Sequence, residues 1–290
     1  MAQATDHYSG QRLEPGMPVQ IQGVCVPVRQ ILGRNPGPMT GPGTNSYLIG
    51  EKELVLIDPG PADPAQLGAF RQAFADLPLR YILVTHTHRD HSPGAVALAE
   101  ATGAELVGLK APDAMGQDHS FVPSGLWQDG EVIELDGFSI ELIATPGHVS
   151  NHICYLLREE KLLFTGDHIL QGTTPVILPP DGDMADYLHS LEILLQRDLR
   201  FLAPGHGVLM DKPKQEIEKL IAHRLKRERK IIACMAKLGA ATLDEIVRPV
   251  YDDIPEHLIP WAKKTLLAHL YKLGKEKLAQ ESGETWSLLR

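Results

Sequence analysis

Residues 85 to 91 read Thr85, His86, Thr87, His88, Arg89, Asp90, His91, and they directly follow the apolar run Tyr81, Ile82, Leu83, Val84. Three imidazoles and a carboxylate in seven residues are the donor set of a divalent-metal site, with no thiolate among them. His86 and His88 are two apart, so in an extended or turning segment both side chains leave the same side of the backbone and can chelate one ion. Asp90 and His91, a little further on, can reach a second ion. Ser92 and Pro93 then read as an N-cap with proline at the first helical position, and Gly103 closes an alanine-rich helical pattern. The cluster is therefore expected on a strand-to-helix turn.

Three later segments repeat one local grammar. Ile140 to Ala144 leads into Thr145, Pro146, Gly147, His148; Leu162 to Phe164 leads into Thr165, Gly166, Asp167; Leu199 to Leu202 leads into Ala203, Pro204, Gly205, His206. Each is a strand-like apolar run, a glycine-containing turn and a metal-ligand residue type. Alone, His148 or His206 reads equally as a turn histidine and Asp167 as a helix cap. In order after an HxHxDH cluster, the three make a metal centre the economical reading.

On these motifs the chain resembles the metallo-β-lactamase fold superfamily, whose ligand pattern is HxHxDH followed by His, Asp and His. The resemblance implies His86, His88 and His148 on one metal, Asp90, His91 and His206 on the other, and Asp167 bridging. It also implies an αββα sandwich with the site at one edge of two sheets. The strand Leu54 to Ile57, ending at Asp58, Pro59 and Gly60, matches a further superfamily signature in which the aspartate supports the ligand loop from behind.

A narrower resemblance lies at the two ends. Asn35 to Thr40 with Gly43 to Tyr47, and His223, Arg224, Leu225, Lys226, Arg227, Glu228, are similar to signatures of the β-lactamase-like protein 2 branch. That branch includes a single-strand endoribonuclease, and similar N-terminal signatures occur in polyketide-type acyl-carrier thioesterases. The resemblance suggests Thr44, Asn45 and Ser46 as residues lining the site, although a tight turn would use the same residue types. His223 and Arg227, four apart on one helix face, are read as contacts to a substrate phosphate, with a structural salt bridge as the other reading. Thr173 and Thr174, in the loop after Asp167, are weaker lining candidates; His168, next to a ligand, is a supporting candidate.

The rest of the composition fits a soluble enzyme. A chain of 290 residues with 43% hydrophobic content can bury a large core and has room for a second, small domain. Cys25, Cys154 and Cys234 are odd in number and widely separated, which indicates neither a disulfide framework nor a zinc knuckle and fits reduced thiols in a cytoplasm. No apolar run approaches the ~20 residues of a membrane helix, and Asp6 and Glu14 break the acid-poor pattern of a transit peptide. The expected location is cytoplasmic, without membrane association.

Charge is uneven. Up to Gly207 there are 12 Lys+Arg against 25 Asp+Glu; from Val208 onward there are 16 against 12. Lys219, Arg224, Lys226, Arg227, Arg229, Lys230 and Lys237 concentrate in one helical stretch, which reads as a solvated face or as a surface for an anionic substrate.

The fold class read from the pattern is α+β. Residues 1 to 210 are expected to form the catalytic sandwich and 211 to 290 a helical, winged-helix-like domain. Helices are expected over Pro213 to Leu238, Thr242 to Tyr251 and Pro255 to Leu273, followed by a hairpin turning at Ser282 and Gly283. Lys263, Lys264, Lys272, Lys275 and Lys277 lie on and after the third helix, but shape alone does not imply nucleic-acid binding.

The chemistry expected is hydrolysis. Two divalent ions, with zinc suited and iron or manganese accommodated, would make an activated hydroxide at neutral pH, with Asp167 between them and Asp90 able to hold or relay a proton. Phosphodiesters of single-stranded RNA stand first as substrate. Acyl-carrier, coenzyme A or glutathione thioesters stand second, and a mononuclear-iron persulfide dioxygenase third. The oligomeric state is left open.

Overall fold

The computed structural model describes residues 13 to 21 and 23 to 289. Asp6, used above against a transit peptide, lies outside the described residues. The chain packs as two units, one of them residues 1–145, 151–175 and 197–213, the other residues 146–150, 176–196 and 214–290.

The first unit holds two sheets. One joins β1 (Pro18–Gln20), β2 (Val28–Leu32), β3 (Asn45–Ile49), β4 (Leu54–Ile57), β5 (Leu79–Leu83) and β6 (Glu105–Val107) in chain order. Its first four strands are antiparallel, and β4, β5 and β6 are parallel because α1 (Pro64–Phe74) and α2 (Gly94–Thr102) return the chain between them. The other joins β7 (Val132–Leu135), β8 (Phe138–Ala144), β9 (Ile153–Leu157), β10 (Leu162–Gly166) and β11 (Phe201–Pro204), in the order β11-β10-β9-β8-β7.

Both faces of the first sheet are buried, which is why its strands read as continuous apolar runs rather than as alternation. Ile49, Val55 and Ile57 face the second sheet and pack with Ile140, Leu142, Tyr155, Leu157 and Phe164. Leu48, Leu54, Leu56 and Ile82 face the other way, against Phe70 and Phe74 of α1 and Ala95 and Leu98 of α2. Each such fully buried side chain contributes roughly 1.5–3 kcal/mol of transfer free energy.

Asp63 caps α1 by accepting from the Gln66 N–H at 2.8 Å, with Pro64 at the first helical position. At α2 the capping expectation fails. Pro93 itself occupies the cap position in a helical conformation, and no side chain caps the helix. The Ser92 hydroxyl donates to Asp118 Oδ2 at 2.8 Å, and the Ser92 carbonyl takes the Ala95 N–H at 2.9 Å, so the turn closes early and the hydroxyl is drawn to the loop after β6. Gly103 ends α2 as expected, at φ 76° with its N–H on the Ala99 carbonyl.

The second unit contains α3 (Met184–Leu195), α4 (Pro213–Leu238), α5 (Leu243–Val250), α6 (Ile259–Lys275) and a three-stranded sheet of β12 (Ala241–Thr242), β14 (Thr285–Leu288) and β13 (Ala279–Ser282). It is a winged helix built around Ile231, Met235, Ile246, Val247, Leu266, Leu270 and Trp286. A reciprocal Thr242 and Glu245 capping box opens α5. A short 3-10 turn, Glu256–Leu258, stands where the third helix was expected to begin. The wing turns one residue later than expected: Ser282 still pairs with Thr285, which leaves Gly283, at φ 60°, and Glu284 at the bend. Within this unit α3 packs on α6, and Lys275 pairs with Asp183 at the N-cap of α3.

Candidate metal centre

In the first unit β4 and β5 run parallel, and β8, β10 and β11 share one direction in the other sheet, so the residues that follow these strands gather at one edge of the sandwich. The two sheets are sewn together there. Thr85 O accepts from the Ile153 N–H at 2.8 Å, the Tyr155 hydroxyl donates to Val84 O at 2.8 Å, and the Asn45 N–H reaches Gly205 O at 2.8 Å.

Two ligand sets converge. His86, His88 and His148 offer one set of ligand atoms and Asp90, His91, Asp167 and His206 the other, each set lying within 4.8 Å. His86 Nε2 and His88 Nδ1 are 2.9 Å apart. His91 Nε2 lies 3.7 Å from Asp90 Oδ2 and 3.4 Å from Asp167 Oδ1; His206 Nε2 lies 3.3 Å and 3.4 Å from the same two oxygens. His148, on the loop from β8 to β9, places its Nδ1 on Val176 O at 2.7 Å.

Charge in the second set is tightly matched. Burial opposes ionisation of Asp90, yet the imidazoles of His91 and His206 outweigh it and draw the carboxyl down to about 2. Burial likewise opposes protonation of His91 and His206, but the surrounding carboxylates lift both above the ordinary histidine value. The Nε2 atoms of His91 and His206 are buried without a hydrogen-bond partner and point at carboxylate oxygens. Such an arrangement is costly for protein alone and suits cations placed among these donors, so the cluster can bind divalent metals.

Behind the ligands stands Asp58, 1% exposed and held in the left-handed region at φ 47°. Its carboxylate accepts from the Thr85 N–H and Thr85 Oγ1, both at 2.7 Å, and from His91 Nδ1 at 2.9 Å. Two glycines keep the cluster close. A Cβ on Gly205 would sit 2.7 Å from His91 Cε1 and 2.9 Å from Asp167 Oδ1, and one on Gly166, at φ 46°, would sit 2.5 Å from Thr85 Oγ1.

The residues suggested as site-lining have the following partners and exposures. Thr44, Asn45 and Ser46 are buried, and their side chains brace the ligand loops: Thr44 Oγ1 donates to Asp90 O at 2.8 Å, Asn45 Nδ2 to Pro204 O and Gly207 O at 2.9 Å each, and Ser46 Oγ to Asp58 O at 2.6 Å. Thr173 is exposed and Thr174 half-buried on the loop after β10. Arg227, on α4, is forked onto Asp253 at 2.9 and 3.0 Å, donates to Val250 O, and lies 4.3 Å over the Tyr251 ring. That is the salt-bridge geometry. His223 is exposed, and partial desolvation, then Arg224 and Arg227, push its pKa down.

Other supports carry no spacing signal. His152 is fully buried with its ring stacked 5.2 Å from that of His86 and its Nδ1 2.9 Å from Thr145 Oγ1, and His168 follows at 5.6 Å. Gln117 and Asn151 fix Thr87, between the first two ligands, through its hydroxyl at 2.6 and 2.7 Å, while the Asp118 N–H holds Thr87 O at 2.6 Å. The only sequence hint of Gln117 and Asp118 is the length of the irregular stretch between β6 and β7, since long ordered loops are commonly functional.

Residues 39–206, a span that ends on His206 and contains all seven candidate ligand residues, match the family model described as the metallo-beta-lactamase superfamily. The chain belongs to the metallo-β-lactamase superfamily. Residues 242–286 match the beta-lactamase associated winged helix domain. A beta-lactamase-like protein 2 homolog from Caenorhabditis elegans is 33% identical over 88% of this chain and 84% of the relative. An atrochrysone carboxyl ACP thioesterase from Aspergillus chevalieri is 31% identical over 94% and 88%. The crystal structure of a beta-lactamase domain protein from Burkholderia ambifaria superposes with a TM-score of 0.80 over 99% of this chain and 97% of that one, at 18% identity, which shows the shared fold. With residues that can bind metal brought together, this member of the superfamily is a metal-dependent hydrolase. Among the described residues no helix is long and apolar enough to cross a membrane.

Proposed function

We propose that the chain hydrolyses an acyl thioester carried on a phosphopantetheine-type arm, using two zinc ions. His86, His88 and His148 would hold one ion and Asp90, His91 and His206 the other, with Asp167 shared. When bound, such a pair supplies Lewis acidity and a hydroxide nucleophile at neutral pH. Water adds to the thioester carbonyl, the carbon–sulfur bond breaks, and acid and thiol leave. Asp90 Oδ2, held as a carboxylate, accepts a hydrogen of the incoming water and relays a proton toward the departing sulfur. His91 is kept with its Nδ1 proton on Asp58, which leaves Nε2 for the centre.

The convergence of the two ligand sets carries the hydrolytic reading. The partners of the basic residues support placing the thioester ahead of RNA, the opposite order to the one expected from sequence. Arg227 is engaged by Asp253, Lys230 by Asp252, Lys219 by Glu216, Lys263 by Asp244, Lys272 by Glu228 and Lys275 by Asp183. Cations already paired with the protein's own acids offer less counterion release to a polyanion. The acid-rich sequence through Gly207 also disfavours a long polyanion, and thioesterase relatives align over nearly the whole chain. Three free thiols suit a reducing cytoplasm.

The test offers zinc-reconstituted protein acyl coenzyme A, S-lactoylglutathione, single-stranded RNA and bis-p-nitrophenyl phosphate in parallel, over a salt series, with His86→Ala as control. Thioester turnover with a shallow salt response, lost in His86→Ala, is expected. Cleavage of RNA alone, falling steeply with salt, would restore the phosphodiester reading, and oxygen consumption with a persulfide by iron-loaded protein would move the chain to the dioxygenases.

A further inference from the structure

The Thr85 hydroxyl stands between Asp58 and His86. Asp58 Oδ2 lies 2.7 Å from Thr85 Oγ1 and 2.9 Å from His91 Nδ1, and Thr85 Oγ1 lies 3.0 Å from His86 Nδ1. A carboxylate accepts only, so the single hydroxyl proton of Thr85 is committed to Asp58. Thr85 Oγ1 therefore meets His86 as an acceptor, and His86 carries its proton on Nδ1. That leaves the lone pair on His86 Nε2, the nitrogen turned toward His88 Nδ1 at 2.9 Å.

We propose that Thr85 is the positioning residue that fixes the tautomer of His86, so that the single carboxylate of Asp58 sets the ligand nitrogen in both sets: His91 directly, and His86 through the Thr85 hydroxyl. The rotamer is over-determined. The Thr85 N–H is held by Asp58 Oδ1 at 2.7 Å and its carbonyl by the Ile153 N–H at 2.8 Å. The residue is fully buried, and a β-branched side chain on a fixed backbone has few rotamers to choose from. Gly166 completes the arrangement, because a Cβ there would occupy space 2.5 Å from Thr85 Oγ1 and 2.7 Å from Thr85 Cβ. Valine has the shape of threonine without the acceptor, whereas serine keeps it.

The experiment reads the histidine tautomers of the metal-free protein by long-range nitrogen–proton NMR, and zinc retention against a chelator series, in the unmutated protein, Thr85→Val and Thr85→Ser. His86 is expected as the Nδ1–H form in the unmutated protein and as a mixture in Thr85→Val. Retention of the zinc ion on His86 should fall about 10- to 100-fold in Thr85→Val, the range typical of a lost outer partner, and recover in Thr85→Ser. A His86 proton on Nε2 in the unmutated protein overturns the proposal with no variant needed, which covers the case in which Thr85→Val does not fold. Unchanged tautomer and zinc retention in a folded Thr85→Val overturns it equally.

Discussion

Asp58 Oδ2 accepts from His91 Nδ1 at 2.9 Å across 33 residues of chain, and it does so from a backbone at φ 47°. The left-handed conformation turns the Asp58 side chain back beneath the loop that follows β5. Asparagine tolerates the same conformation, so Asp58→Asn isolates the loss of the carboxylate. Metal content after dialysis against chelator should drop about 10- to 100-fold in affinity, as for other outer partners of metal-ligating histidines. Full retention by Asp58→Asn would show that the carboxylate has no part in the site.

Gly205 presses against both a ring and a carboxylate of the second ligand set. Gly205→Ala should weaken zinc binding at least about 10-fold, since a 1 Å displacement of one ligand is enough to spoil a four-donor site. Calorimetric titration with zinc checks this, alongside the melting temperature. A variant that binds zinc like the unmutated protein would mean the loop moves aside freely.

Arg227 separates the salt-bridge role from a substrate role. Arg227→Ala should lower stability by about 1–2 kcal/mol, at the low end for a charged hydrogen-bonded group because Asp253 is solvent-exposed. KM for the thioester should stay unchanged. Denaturant unfolding and steady-state kinetics are the measurements, and a raised KM at unchanged stability would give Arg227 back to the substrate.

The winged helix should be acid-sensitive. His269 is fully buried, and burial holds its pKa below 6.5; Glu228 is also penalised by burial, but bonds from His269 and Lys272 hold it below 4.5. Both folded values are depressed, so the unfolded chain takes up protons first. Stability is then complete above about pH 6.5 and is lost as pH falls, through His269 first and Glu228 next. Melting temperatures from pH 7.5 to 4 should show this decline, and His269→Gln should flatten its upper part. A flat profile, or one that rises on acidification, would contradict the assignment.

Much of this architecture is legible in sequence because the HxHxDH cluster directly follows an apolar run, and His148, Asp167 and His206 each follow an apolar run and a glycine turn, so strand and site are written side by side. The winged helix is legible for a similar reason: Thr242 marks the start of one helix, and Ser282 and Gly283 mark the hairpin. What escapes is whatever a partner distant in sequence decides. Ser92 looks like a cap until Asp118 takes its hydroxyl, and Arg227 looks available until Asp253 is seen beside it. His152 has no periodic signature because its role is a stack on His86 from the segment just before β9, in the other sheet. Thr44, Asn45 and Ser46 carry the right chemistry for a site, but their burial turns it toward loop backbones.

Zinc stoichiometry measured together with thioester turnover tests the account most directly. Chelator-stripped protein titrated with zinc should bind two ions per chain, with acyl coenzyme A hydrolysis rising as they load, and Asp167→Ala should lose both properties. Protein that binds no zinc, or that hydrolyses the thioester equally well when stripped, would contradict it.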